Sequence, residues 1–572
     1  MYILGLYDGH DAGACIIRDG KILSAVNEER FSRKKFHIGF PYLSIEFLLR
    51  DLKLRKKYIS KIAVGGMNGM LVKDLEDSFG GLSTGIGRLY CELSFVGFPF
   101  RSRLIRKLYG LWGSKRRKGV RETLKKLGFH QEVFFIDHHT AHAYSAYYTF
   151  GKTPAWVFTF DGTGDYTSAT VYQPNDPIHR IASSTSYDSP GYFYSAITRV
   201  LGFRALRHEG KITGLAAFGD PMVFYDKLKP ALQLSSDKTE FRNNFRATGY
   251  RTVRKLQKLT QGYRREDIAA AAQHILEETC SAHVAHMIRN EKKVNIALAG
   301  GTVANVKLNQ RIHELKNVNT VFIHPHMGDG GLNVGAALYV WSRLGTKDGK
   351  TPTPKPIEHV YFGPGYNDRE IKAAIDRAGL KAILSKNVEK EIAQHIANGK
   401  VVARFNGKME YGPRALGNRS ILYSTKEPSV NQWLNKRLKR TEFMPFAPST
   451  LYEYKDQCYK NVKGAEHAAE FMTITFDCTP WTKKNCPAIV HVDGTARPQL
   501  VKKEVNPSYY KIIDEYRKIT GIPTIVNTSF NMHEEPIVCT PDDAIRSYLQ
   551  GHLDVIALGN WIVLNKHAKK NE

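Results

Sequence analysis

The feature that most constrains this chain is a strand plan that occurs twice. A strand from Tyr2 to Tyr7, an acid-and-glycine turn (Asp8-Gly9-His10-Asp11-Ala12-Gly13), a strand from Ala14 to Arg18, the tight turn Asp19-Gly20 and a strand from Lys21 to Val26 open the sequence. Trp156 to Phe160, the turn Asp161 to Asp165, Thr167 to Tyr172 and Arg180 to Ser184 repeat it. Two such copies, each followed by helices, predict a duplicated α/β core that binds ligands at the turns between its halves. A third piece, the strand Val294 to Leu298 followed by Ala299-Gly300-Gly301-Thr302, leads into a helix expected from Val303 to Leu315. Glycine there lets backbone approach a ligand, and a helix N-terminus favours negative charge.

Between the copies lies Asp137-His138-His139-Thr140-Ala141-His142-Ala143. On a helix His138 and His142 share one face, at the spacing with which two imidazoles bind one metal ion. Asp161, 19 residues after His142, ends an apolar strand, and Asp329 sits in the glycine-rich stretch His324-Pro325-His326-Met327-Gly328-Asp329-Gly330-Gly331 before a helix. Two imidazoles and two carboxylates suit ferrous iron, manganese or zinc. The competing reading makes both histidines core residues of the helix, as most of the 21 in this chain must be.

At 572 residues the chain exceeds one hydrophobic core, and two or three domains are expected. Seven scattered cysteines without a CxxC pair argue against a disulfide framework or a zinc knuckle. With no signal-peptide pattern or long apolar run, a cytoplasmic location is expected, with contact at a membrane surface allowed. The formal charge of +28 predicts attraction to anions. Much of it is local: Arg101 to Lys126 holds eleven Lys or Arg and one acid, Glu122, interleaved with Leu104, Ile105, Leu108, Tyr109, Leu111 and Trp112. That reads either as a basic amphipathic helix for an anionic partner or as the solvated face of an insertion.

Further along, His208-Glu209-Gly210-Lys211 offers a lysine for a phosphate or hydroxyl, or a surface salt bridge. The proline-spaced Thr351 to Pro356 marks a linker, placed at 351–364, between a domain at 1–350 and another at 365–572. The second domain carries Met409-Glu410-Tyr411-Gly412-Pro413-Arg414-Ala415-Leu416-Gly417-Asn418-Arg419-Ser420, then Lys439-Arg440, His491-Val492-Asp493-Gly494-Thr495-Ala496-Arg497-Pro498-Gln499 and Asn527-Thr528-Ser529-Phe530-Asn531. Arginines beside glycines, with amides and hydroxyls at a strand end, suit phosphate and carbonyl oxygens. GxxxxGK[ST] does not occur, so any nucleotide is held without a Walker loop.

These motifs, in this order over nearly the whole length, resemble the O-carbamoyltransferases of nodulation-factor and antibiotic biosynthesis, the NodU/CmcH family. The duplicated half looks like the actin, sugar-kinase and heat-shock ATPase superfold. The resemblance implies an α/β protein: a first domain similar to tRNA threonylcarbamoyl transferases and a second similar to the enzymes that form threonylcarbamoyl-AMP. It implies that the second domain makes carbamoyl-AMP from carbamoyl phosphate and ATP with Mg2+, and that the first transfers the carbamoyl group to a hydroxyl. His10 becomes the catalytic base, and His138, His142, Asp161 and Asp329 hold a divalent metal, Fe2+ first, Mn2+ or Zn2+ otherwise. Asp11, Lys211, Gly300, Gly301 and Asn305 line the adenylate and acceptor site; Arg414, Lys439, Arg440, Arg497, Asn527 and Ser529 hold carbamoyl phosphate and ATP. Thr441 and Met444 depart from the family pattern, so no contact is carried over to them. A homodimer is allowed and nucleic acid is disfavoured. The acceptor is left open, with the segment from Ser94 to Lys126 expected to border its site and to favour an anionic or membrane-held glycan. Two rival readings are a tRNA threonylcarbamoyl-type enzyme, for which the charge is suited, and an actin-like or chaperone-like ATPase with a structural metal.

Overall fold

The computed structural model describes residues 1–68, 99–247, 249–346, 350–439 and 446–565, with 99–112 and 250 given by secondary structure alone. The chain divides into two compact units, one of Met1–Glu28 and Phe36–Ile357, the other of Glu29–Lys35 and Glu358–Glu572.

In the first unit β1 (Tyr2–Tyr7), β2 (Gly13–Arg18), β3 (Lys21–Asn27), β4 (Ile59–Gly65) and β5 (Val133–Ile136) form a five-stranded sheet in the order β3-β2-β1-β4-β5. A second sheet of β6 (Ala155–Gly164), β7 (Thr167–Gln173), β8 (His179–Thr185), β9 (Val294–Ala299) and β10 (Val318–Ile323) has the order β10-β9-β6-β7-β8. The two are one topology used twice. In each, the first strand runs antiparallel to the second and parallel to the fourth, and the fourth is parallel to the fifth. This is the duplicated α/β core that the repeated strand plan predicts. The central strands are buried along nearly their whole length, Ile3, Leu4 and Leu6 on β1 and Val157, Phe158 and Phe160 on β6, as strands covered on both faces are.

Polar turns fix where the helices begin. Asp137 caps the helix His138–Phe150 by accepting from Thr140 N at 2.9 Å, and the Asp165 carboxylate accepts from His138 N at 2.9 Å. Both acids stand where the free N–H groups of a helix start need acceptors. The helix expected at Val303 to Leu315 is instead broken: Gly301–Ala304 is a 3-10 turn, Asn305 is extended, and the helix is Val306–His313. The cause is Asn305 itself, whose side chain accepts from Leu308 N at 3.1 Å and restarts the helix as its cap.

The second unit is built on an eight-stranded sheet of β11 (Ile383–Leu384), β12 (Val402–Phe405), β13 (Arg419–Tyr423), β14 (Ala447–Leu451), β15 (Gln499–Val501), β16 (Thr524–Ser529), β17 (Val555–Leu558) and β18 (Trp561–Leu564). Its order is β11-β18-β17-β12-β13-β16-β14-β15. Residues 29–35 join this unit from far away in sequence. Arg33 donates to Ile537 O and Pro536 O at 2.8 Å each, Arg30 donates to Gly412 O at 2.9 Å, and Phe31 packs on Met409, Ala415, Ile537 and Cys539. The division at Ile357 falls within residues 351–364, but the excursion at 29–35 departs from a continuous first domain of 1–350. Among the described residues, no helix is long and apolar enough to cross a membrane.

Candidate functional site

His138 and His142 stand one turn apart at the start of their helix, and the chain closes two carboxylates onto the same face. His138 Nε2 lies 3.1 Å from His142 Nε2, 3.1 Å from Asp161 Oδ2 and 3.5 Å from Asp329 Oδ1. His142 Nε2 lies 3.7 Å from Asp329 Oδ1 and 3.9 Å from Asp161 Oδ2. One donor atom from each of the four side chains falls within 4.8 Å of all the others. Two donors bound at about 2.1 Å to one ion stand about 3 to 4.2 Å apart for angles between a right angle and a straight line. The five separations above lie in that range, and the nitrogen and oxygen donors suit a borderline divalent metal. A proton on one Nε2 makes this pair a hydrogen bond; with both nitrogens bare, a cation between them would relieve their repulsion. Burial opposes charge on His138, yet Asp329 and Asp161 raise its pKa well above the ordinary value. Burial likewise opposes ionisation of Asp329, and the His138 charge holds it well below the usual carboxylate range.

A further set of groups orients these four side chains, as a metal site would require. Tyr7, at the end of β1, donates its hydroxyl to Asp329 Oδ2 at 2.8 Å, leaving Oδ1 toward the imidazoles. Gly301 N donates to Asp161 Oδ1 at 2.9 Å, leaving Oδ2 for His138. A Cβ on Gly164 would come within 2.0 Å of the His138 ring, so the Asp-Gly-x-Gly-Asp turn needs glycine there for the ring to lie against it. His139 points elsewhere: its Nε2 lies 2.9 Å from Thr167 O and its Nδ1 2.6 Å from Thr159 Oγ1. Burial, then the neighbouring His138 charge, pushes its pKa down to about 3.

His10 is half-buried and stacks on Phe36 with ring centres 5.0 Å apart. Asp11 is held by Asn27. Lys211 is buried on the helix Glu209–Ala216, and Glu209 accepts from Ser195 Oγ at 2.7 Å. Asn305 exchanges amide hydrogen bonds with Gln273 at 2.9 and 3.0 Å. The Gly300-Gly301 turn supports the cluster: the Gly301 N–H expected to face a ligand is used by Asp161, and Gly300 N donates to Met327 O at 2.7 Å.

In the second unit the loop 409–420 is held from inside. Glu410 Oε1 accepts from the N–H groups of Leu416, Asn418 and Arg419 at 2.8, 2.8 and 3.2 Å. Arg419, fully buried, donates to the carbonyls of Asn406, Asn418, Pro364 and Gly407 and stacks over Phe405 at 3.8 Å. Arg414 is half-buried and has no such network among the described residues. Burial pushes its guanidinium down to about 10 without an opposing charge, and its Nε is buried with no hydrogen-bond partner among the described residues. Asn527 Nδ2 donates to Ala415 O at 3.1 Å and to Ser449 Oγ and Gln499 Oε1 at 3.0 Å. It thus ties together the stretches that carry Arg414, Arg497 and Ser529. Arg497 and Ser529 are half-buried; Lys439 is exposed just past the helix Val430–Arg437. Arg440, Thr441 and Met444 lie outside the described residues.

The basic stretch belongs to a helix at Pro99–Lys126, whose apolar residues from Leu104 to Trp112 lie outside the described side chains. Its second half turns two cations inward. Arg116 pairs with Asp8 and donates to the carbonyls of Gly65 and Gly66, and Arg117 donates to Met67 O at 2.9 Å. Lys115, Lys118, Lys125 and Lys126 are exposed.

Sequence reasoning missed Tyr7 and the anchoring role of Glu410. Tyr7 reads as one more core aromatic of an apolar strand, and nothing local marks its hydroxyl as paired with a residue 322 positions away. Glu410 carried a signal, an acid inside a glycine- and arginine-rich motif.

A family model described as "Carbamoyltransferase N-terminus" matches residues 2–338 and one described as "Carbamoyltransferase C-terminus" matches 393–565. An uncharacterized protein of Methanocaldococcus jannaschii is 33% identical over 98% of this chain and 99% of its own. Nodulation protein NolNO of Sinorhizobium fredii is 28% identical over 98% of this chain and 80% of its own, and nodulation protein NolO of Bradyrhizobium diazoefficiens 32% over 76% and 79%. With both family models and both halves of the fold accounted for, the chain belongs to the carbamoyltransferase family and is an enzyme of that class.

Proposed function

We propose that this carbamoyltransferase makes carbamoyl-AMP in its second unit and transfers the carbamoyl group to a hydroxyl in its first. The observation that carries the reading is that the two units differ in chemistry: one has a cluster of possible metal ligands, and the other a half-buried arginine, Arg414, whose Nε is buried without a hydrogen-bond partner among the described residues. A buried donor left unpaired is costly unless an acceptor joins it. Arg414 therefore suits a phosphate or carbamoyl oxygen, with Lys439, Arg440, Arg497 and Ser529 completing the carbamoyl phosphate and ATP site and Asn527 holding its loops. In that step water is consumed, and phosphate and pyrophosphate are released.

In the first unit the acceptor oxygen attacks the carbamoyl carbon. The bond from that carbon to the phosphate oxygen breaks, its electron pair leaves with AMP, and the hydroxyl proton passes to His10. An alcohol is a poor nucleophile at neutral pH, and an imidazole titrates in the range where it can take that proton. His138, His142, Asp161 and Asp329 would hold a divalent metal, ferrous iron first, which supplies positive charge for the adenylate phosphate and the departing AMP. Asp11, Lys211 and Asn305 border the adenylate and acceptor. The acceptor is a hydroxyl of a small molecule or glycan, and the exposed lysines of the Pro99–Lys126 helix favour an anionic one.

Mass spectrometry of the products formed from ATP, carbamoyl phosphate and ferrous iron, without acceptor, tests the first half. Carbamoyl-AMP and pyrophosphate are expected, and both are lost in Arg414→Ala. ADP formed with no dependence on carbamoyl phosphate would overturn the reading in favour of an ATPase.

A further inference from the structure

The turn that carries His10 is not free to choose its shape. Asp11, the next residue, has a φ of 60°, a left-handed conformation that a non-glycine residue adopts at a cost and keeps only when its surroundings enforce it. The enforcing groups are visible. Ala12 N donates to His37 O and Glu28 N donates to Ala12 O, each at 2.9 Å. Asn27, paired with Gly13 in the β2–β3 ladder, reaches back across the turn. Its Nδ2 donates to Asp11 O at 3.0 Å and to Asp11 Oδ1 at 3.1 Å, grasping backbone and side chain of the strained residue together.

Asn27 is oriented in turn. Its Oδ1 accepts from His326 Nε2 at 3.0 Å, and that same nitrogen lies 3.4 Å from Asp11 Oδ2. An amide oxygen only accepts, so His326 must carry its proton on Nε2, and this bond fixes which way the Asn27 amide faces. His326 comes from the stretch that also carries Asp329. A Cβ on Gly330 would fall 2.1 Å from His326 Nε2 and 2.6 Å from Asn27 Nδ2, so the residue after the metal ligand is left bare where the bridge passes. Asp11, Asn27 and His326 are each buried.

We infer that Asn27, oriented by His326, is a positioning residue that holds the Asp11 turn and thereby sets His10 relative to the Asp329 turn. The bridge couples the loop of the base to the loop of a metal ligand, so that both keep one geometry while acceptor and adenylate come and go. Misplacing a reacting group by about 1 Å costs on the order of 100-fold in rate. The inference rests on the reading of His10 as the base.

The test uses the full chain loaded with ferrous iron, making carbamoyl-AMP in situ, with glycerol as the hydroxyl probe. Asn27→Asp keeps the shape and replaces the donor by an oxygen facing Asp11. Its carbamoyl transfer at saturating glycerol is expected to fall about 100-fold, with the KM for glycerol, carbamoyl-AMP formation and metal content unchanged. His326→Leu is expected to repeat the loss and His326→Gln, which retains an N–H donor, to recover most of it; this pair decides if Asn27→Asp does not fold. Full transfer by Asn27→Asp beside an inactive His10→Ala overturns the inference and leaves the base in place. Loss of metal from Asn27→Asp also overturns it, since the residue would then be structural to the whole site. Full transfer by His10→Ala removes the reading on which it stands.

Discussion

His138 Nε2 and His142 Nε2 face each other across 3.1 Å, with Asp161 and Asp329 closing on the same point. Each atom arrives from a different constraint: the histidines from one helical turn, Asp161 from the bulged end of β6, Asp329 from the turn before the helix Leu332–Leu344. Removing any one leaves the other three aimed at a cation. His142→Ala is therefore expected to bind cobalt(II), used as an absorbing probe, at least 100-fold more weakly than the unaltered chain. Titration followed in the visible range reads this directly, and undiminished affinity would sink the metal assignment.

Tyr7→Phe removes only the hydroxyl that Asp329 Oδ2 accepts. Partners of this kind typically contribute about 10- to 100-fold to metal affinity, and the isosteric ring keeps the packing of β1. The same cobalt titration is expected to show a loss in that range with the melting temperature nearly unchanged. Equal affinity would mean that Asp329 is held without Tyr7.

Arg414 and Arg419 sit five residues apart and are expected to behave in opposite ways. Arg419→Met strands four carbonyls that its guanidinium serves, a change expected to cost roughly 3–5 kcal/mol in urea unfolding. Arg414→Met removes a half-buried guanidinium whose Nε has no hydrogen-bond partner among the described residues, so stability is expected to hold while carbamoyl-AMP formation is lost. Similar destabilisation by both would show that Arg414 is a structural residue.

His283 predicts a pH dependence. It is buried against Phe158, Phe160 and Phe241, and burial pushes its pKa down to about 4. Between an unfolded value of about 6.5 and that native value, the unfolded chain binds a proton that the native chain refuses. Stability from this group is thus complete above about pH 6.5 and is lost as pH falls toward about 4, by about 3 kcal/mol in all. His283→Gln is expected to flatten the acid side of the melting-temperature profile by a corresponding amount, and an unchanged profile would refute the assignment.

Much of the site was legible in the sequence because it is written in local patterns. The HxxxH spacing places two imidazoles on one helical face whatever surrounds them. The repeated strand and acid-glycine turn announces a duplicated sheet, and the two sheets do share one strand order. The helix expected from Val303 to Leu315 is shorter, Val306–His313, because the Asn305 side chain caps it.

What the sequence by itself determined is what local periodicity and turn chemistry carry: the strands, the helix that presents His138 and His142, and the motif arginines. The tertiary structure alone decided which atoms meet. Tyr7 with Asp329, Asn27 with His326 and residues 29–35 with the second unit are joined across hundreds of positions. It also separated Arg419, consumed by four carbonyls, from Arg414, which is not. The reason is physical: backbone preferences depend on near neighbours, whereas the partner of a buried polar group is whichever complement the packed chain brings within 3 Å or so.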